Sequence, residues 1–162
     1  MLTIRKTTTA DIEAVNQIYI SARSFMRATG NPTQWNGVYP NSQDVAEDIR
    51  RGIGYVVCEG DEIVAAFAFF VGEEPTYRRI EGGAWKKEGP YGVIHRIAVA
   101  RHGLGIAGLC FDYCFRACGN LRIDTHRDNR VMQRALEKSG FAYCGIIYLA
   151  SGDERLAYQK TE

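Results

Sequence analysis

The stretch VIHRIAVARHGLGIAGLCF, residues 93–111, sets Gly103, Gly105 and Gly108 in the spacing G-x-G-x-x-G between an apolar run and a helix-like one. A glycine turn that opens a helix is a ready anion site. The first amides of the helix have no intrahelical acceptor, and the helix dipole favours negative charge there. The question is which phosphate such a turn holds. The run LRIDT sharpens it, because Asp124 lies near the spot where a nicotinamide-binding fold places an acid for the ribose.

The order of elements decides. LTIRK reads as a first strand. Thr9 caps a helix in which Ile12, Val15, Ile18, Ala22 and Phe25 keep helical spacing until Gly30, and Ser42 caps a short second helix ended by Gly52. GYVVCE and IVAAFAFFV are joined by a turn far too short for a parallel crossover, so they form an antiparallel hairpin. Residues 73–90, rich in Gly, Pro and charge, make a long surface excursion. The strand GVIHRIAVA, the glycine turn, a helix through Cys118, the strand LRIDT, a helix from about Asn129 to Ser139 and the hairpin AYCGIIYLASGDERLAYQK complete the chain.

The resulting order, β-α-α-β-β-β-α-β-α-β-β, predicts a mixed α/β (α+β) fold: a central, mostly antiparallel sheet with helices on both faces, and a single domain over residues 1–162. A dinucleotide fold needs parallel βαβ units on both sides of its glycine turn. Here only about 55 residues follow Gly108, they end in an antiparallel hairpin, and Arg101 and His102 separate the strand from Gly103. A nicotinamide-dependent oxidoreductase is the weaker reading.

Composition removes other classes. With 46% hydrophobic residues among 162 the chain can bury a sizeable core, and a formal charge of +1 argues against bulk attraction to nucleic acid. The N-terminus has no apolar core of signal-peptide length, and the longest apolar run, IVAAFAFFVG, is too short to cross a bilayer, so a cytoplasmic protein without a membrane partner is expected. The five cysteines, Cys58, Cys110, Cys114, Cys118 and Cys144, are odd in number and lack C-x-x-C pairs, which suits reduced thiols. Cys110, Cys114 and Cys118 recur every four residues on one helix and cannot converge tetrahedrally on an ion, so no metal is expected.

The run His102-Gly103-Leu104-Gly105-Ile106-Ala107 resembles the [Q/R]-x-x-G-x-[G/A] signature of the GNAT acetyltransferases, in which this loop holds the coenzyme A pyrophosphate. HRIAV before it, the helix NRVMQRALEKSGF and the whole element order are similar to that fold, and IDTHRDNRVMQ resembles a bacterial subset of the family without an assigned substrate. The resemblance implies an N-acetyltransferase that moves acetyl from acetyl-CoA directly to a primary amine of a small molecule, or less readily of a protein. A non-catalytic acyl-CoA sensor is the alternative. Many relatives pair as dimers, which makes a second copy a candidate partner.

Two departures from the pattern stand out. His102 replaces Gln or Arg, keeping a donor but making its charge depend on pH, and Leu136 stands where many members carry a tyrosine thought to protonate the leaving thiolate.

The same resemblance places coenzyme A against Ile97, Ala98, Val99, His102, Gly103, Leu104, Gly105, Ile106, Ala107, Gly108 and Asn129, with pantetheine pairing like an extra strand near Ile97–Val99. An attacking amine must first lose a proton. His95, on the same expected strand face as Val93, Ile97 and Val99, is the first candidate base; its other reading is a buried histidine satisfied by hydrogen bonds. His126 is a second proton-handling candidate or part of a solvated loop, and Asn129 can cap its helix as well as contact the cofactor. Trp35, Tyr39, Tyr77 and Trp85 can wall the acceptor, with cation–π contact to an amine, or anchor loops to the core.

Overall fold

The computed structural model describes residues 1–162. Its strands are β1 (Leu2–Lys6), β2 (Gly54–Glu59), β3 (Glu62–Val71), β4 (Gly92–Val99), β5 (Asn120–Thr125), β6 (Ala142–Tyr148) and β7 (Glu154–Thr161). Its helices are α1 (Ile12–Ala28), α2 (Ser42–Arg51), α3 (Ile106–Cys118) and α4 (Arg130–Lys138). The strand order is β1-β2-β3-β4-β5-β7-β6 in one mostly antiparallel sheet. By contact the chain divides into two units, Met1–Phe69 with His95–Cys110, and Phe70–Ile94 with Phe111–Glu162.

In the first unit β1 pairs antiparallel with β2 across the α1–α2 segment, and β2 pairs antiparallel with β3, as the short turn between those two requires. The apolar stripe of α1, Val15, Ile18, Tyr19 and Ala22, packs with Trp35, Val45 of α2, and Val56, Ala66 and Ala98 from the strands. The helix caps differ from expectation by one residue. Thr8, not Thr9, opens the turn into α1, with its amide donating to Asp11 Oδ2 at 2.7 Å. Asn41, not Ser42, caps α2: Gln43 N–H donates to Asn41 Oδ1 at 2.9 Å and Asn41 N–H to Asp44 Oδ2 at 2.8 Å. In both cases the acid three residues on closes a reciprocal capping box, and that fixes the start. Gly52 ends α2 at φ +70.

In the second unit β7 lies between β5 and β6, antiparallel to both, while β4 pairs in parallel with β5 at Gly92–Leu121 and Val93–Arg122. Tyr77, Val93, Ile147 and Ala157 form the core, with Ile80, Trp85 and Tyr91 against it. The excursion 73–90 is stitched down. Glu81 and Ile146 exchange both backbone hydrogen bonds, at 2.9 and 2.8 Å. The buried Gln159 amide accepts from Lys86 N–H at 2.6 Å and donates to Lys87 O and Asn120 Oδ1 at 2.9 and 2.7 Å. No helix is long and apolar enough to cross a membrane.

Gly83 has a strict reason to be glycine, because a Cβ there would stand 2.0 Å from the Cys144 carbonyl oxygen. Gly83→Ala is expected to cost about 1–3 kcal/mol by forcing the backbone apart, read as a lower melting temperature with faster amide exchange over residues 73–90. Asp11 takes two hydrogen bonds from the Arg5 guanidinium, which, with the Thr8 amide, hold its carboxyl at about 2 against an ordinary 3.8. A depressed carboxyl stabilises above its unfolded value and loses that contribution as pH falls through the folded one. Because Arg5 is half exposed, the contribution is screened to about 1 kcal/mol. Acid titration of stability should therefore fall between about pH 4 and 2, and the Asp11→Asn variant should be flatter across that window.

Candidate functional site

In the first unit β4 carries a break that periodicity does not show. Arg96 has φ +53, a left-handed conformation unusual for a side-chain-bearing residue in a strand. Its guanidinium pairs with Asp48 of α2, lies 3.5 Å from the Tyr39 hydroxyl, and has an Nε without a hydrogen-bond partner. The kink corrects one expectation: simple alternation does not carry the face of Val93 and His95 across to Ile97 and Val99. Gly92 to Ile94 are all buried, His95 and Arg96 half-buried, Ile97 and Ala98 buried again. His95 thus sits immediately before the break. Trp35 is buried edge-on against Tyr19, centroids 5.8 Å apart, which is the anchoring arrangement, whereas Tyr39 remains 43% exposed.

Beyond β4, the glycine turn is held from both sides. Arg101 pairs with Glu59 and Glu62 at the β2–β3 hairpin, and His102 stacks on Phe25 of α1, centroids 3.8 Å apart. His102 is an exposed residue, and the partial desolvation it does have lowers its imidazole below the ordinary value. Gly103 and Gly105, at φ +79 and +71, follow in exposed backbone, and a Cβ at either would meet no atom within 4 Å. Gly108 does not share this role; it lies in the first turns of α3. Leu109 N–H donates to Gly105 O, while the amides of Ile106, Ala107 and Gly108 precede the first intrahelical bond. The residues fit a diphosphate: open space, close backbone and donors at a helix start.

In the second unit His126 follows β5, and its Nδ1 accepts from Asp128 N–H at 3.0 Å. That places the proton of the neutral ring on Nε2, so the outer nitrogen is a donor and not a base. Burial and the nearby Arg155 charge favour this neutral form. Asn129 caps α4, with Oδ1 accepting from Met132 N–H at 3.1 Å. Leu136 is fully enclosed.

Tyr77 and Trp85 meet in this unit, Trp85 Nε1 donating to Tyr77 O at 2.9 Å. Tyr77 is buried and its hydroxyl donates to Asp124 at 2.6 Å; burial and then that carboxylate raise it well above the ordinary phenol range, keeping the proton on the phenol oxygen. Both line a cavity of about 460 Å³. The cation on the Trp85 ring is the chain's own Arg122, 4.2 Å from the centroid. Sequence reasoning missed Arg96 and Arg122; the available signal was a basic residue inside an apolar strand, VIHRIAV and LRIDT. The five cysteines are free, and no group of His, Cys, Asp or Glu is placed to hold a metal ion.

No family model matches the chain, and no curated protein matches it. Solved structures do. A GNAT-family acetyltransferase from Streptococcus agalactiae is 32% identical, over 99% of this chain and 95% of that one, with a TM-score of 0.91. The protein yncA from Salmonella typhimurium, described as an acetyltransferase and solved with its cofactor acetyl-CoA, is 16% identical over 99% and 93%, with a TM-score of 0.64. The ribosomal-protein-S18-alanine N-acetyltransferase from Escherichia coli is 14% identical over 99% and 93%, with a TM-score of 0.61. The last two share the fold. The first shares nearly a third of its residues over almost the full length of both chains, and on that ground this chain belongs to the GNAT family of acetyltransferases.

Proposed function

We propose that the protein transfers acetyl from acetyl-CoA to a primary amine of a small molecule. The observation that carries the reading is the turn at Gly103 and Gly105, two left-handed glycines in open space that lead into the free amides of α3. Those amides, with His102, Leu104, Ile106, Ala107 and Gly108 alongside, would hold the diphosphate, and the backbone at Ile97, Ala98 and Val99 would run beside the pantetheine. Asn129 keeps its capping bond and can still present its side-chain amide. Bound acetyl-CoA supplies an acetyl group activated as a thioester.

The chain's own part is positioning and proton transfer. His95 would take a proton from the acceptor ammonium, leaving a nitrogen lone pair to form the amide bond as the carbon–sulfur bond breaks, and the attacking nitrogen would give up its second proton to the departing thiolate or to water. Backbone N–H groups near Val99 would polarise the carbonyl oxygen. The thiolate, with an ordinary pKa near 8.5, leaves without a dedicated acid. This accords with Leu136 being wholly enclosed. His126, with its proton on Nε2, suits donation to an anionic or leaving group more than proton removal. The cavity volume favours a small molecule, while a protein amine, as in the Escherichia coli neighbour, is the second reading.

Thiol release from acetyl-CoA across an amine panel tests the reading. His95→Ala is expected to lower kcat by about 10²–10⁴ while calorimetric acetyl-CoA binding is retained; unchanged kcat would remove His95 from the reaction, and binding without release by the wild type would make the protein a sensor. Gly103→Val with Gly105→Val should weaken acetyl-CoA binding at least tenfold. NAD(H) binding tighter than acetyl-CoA would overturn the assignment.

A further inference from the structure

The cavity in the second unit has a wall whose chemistry acetyl transfer alone leaves unused. Arg122 is 3% exposed, and its guanidinium lies between two rings, 4.2 Å from the Trp85 centroid and 4.0 Å from that of Tyr91. The rings fix its plane and offset part of its charge, but they offer no oxygen to the edge of the fork. Nη2 donates to Lys87 O at 2.9 Å, and Nε has no hydrogen-bond partner. The acid beside it, Glu88, is 3.9 Å away on a side chain 88% exposed, beyond hydrogen-bonding distance and facing water. The other arginine of the wall, Arg78, is already hydrogen-bonded to Glu73. The positive charge left unmet in this cavity is therefore that of Arg122. Besides these charged groups and the aromatic rings, the lining carries the apolar Val71, Ile80, Ala84 and Pro90.

We propose that this cavity receives the acceptor, and that Arg122 selects amines that also bear a carboxylate on an apolar body, the amino-acid class. The proposal rests on the acetyl-transfer reading. A carboxylate matches the guanidinium edge in geometry and charge, and it meets a buried donor that nothing in the chain meets. The volume of about 460 Å³ suits a molecule of that size. Glu88, distant and solvated, yields to such a ligand at little cost. A plain alkylamine, or the N-terminus of a peptide, has no carboxylate at the required place and leaves the charge unmet.

The test separates binding from turnover. Calorimetric titration of the whole chain compares 3-phenylpropionate with 3-phenylpropanamide, and thiol release from acetyl-CoA compares L-phenylalanine with L-phenylalaninamide and 2-phenylethylamine. The carboxylate is expected to bind at least tenfold more tightly than the amide, and phenylalanine to show the higher kcat/KM by a similar factor. Arg122→Gln should erase both preferences, and Arg122→Lys should keep only part of them. Glu88→Gln, on an exposed side chain that carries no fold burden, should tighten carboxylate binding severalfold, which keeps the test valid where an Arg122 variant does not fold. Equal binding of acid and amide, absence of binding, or a preference that survives Arg122→Gln overturns the proposal. Acetylation of all three amines alike sinks it while leaving the transferase intact; carboxylate binding without turnover of any amine does the reverse.

Discussion

Taking a guanidinium out of water costs several kcal/mol unless its charge and donors are met, and two strand arginines impose that demand on this chain. In the first unit Arg96 meets it through Asp48, itself only 4% exposed, so α2 must pack where it brings that carboxylate to β4. The strand adopts a left-handed residue at the same point, a conformation that costs of order 1–3 kcal/mol and persists only when surrounding contacts impose it. In the second unit the Glu88 carboxylate stands 3.9 Å away on an exposed side chain, beyond hydrogen-bonding distance. Arg122 relies instead on two aromatic faces and one carbonyl, so residues 85–91 must lie across β5. Each loop has its course set by the charge beneath it.

The glycine turn follows the opposite principle. Its basic neighbours are spent elsewhere, Arg101 on two glutamates and His102 on the Phe25 ring. What an anion meets there, beside the edge of His102, is backbone, amides at a helix start approached through two residues without side chains. Attraction built from amides is short-ranged and directional, which suits a diphosphate of fixed geometry better than an arbitrary polyanion. The near-neutral formal charge of the chain agrees with that economy.

The fold was legible because its signals are local. Helical spacing in α1, the glycine stops and the short hairpin turns depend on neighbours within a few residues, and they gave the element order. The caps slipped by one because Thr8 and Thr9, or Asn41 and Ser42, are equally able cappers; the partner acids Asp11 and Asp44, three residues beyond the true caps, held the missing information. At the site, the turn before α3 and the cap at Asn129 could be read the same way. The kink at Arg96, the stacking of Arg122 and the bond from Tyr77 to Asp124 could not. Each joins residues tens of positions apart, and a lone basic residue in an apolar run says that a partner is needed without saying which one.

The sulfur atoms give the chain a use outside its chemistry. Cys58, Cys110, Cys114 and Cys144 are buried, and burial pushes the Cys110 thiol up to about 12, whereas Cys118 is only partly covered. An alkylating reagent reacts with thiolate at an accessible surface. In the native protein it meets one slow position; the other four become reactive only when the structure around them opens. With Cys58 and Cys110 in the first unit and Cys144 in the second, the order of modification is a clock for which unit opens first.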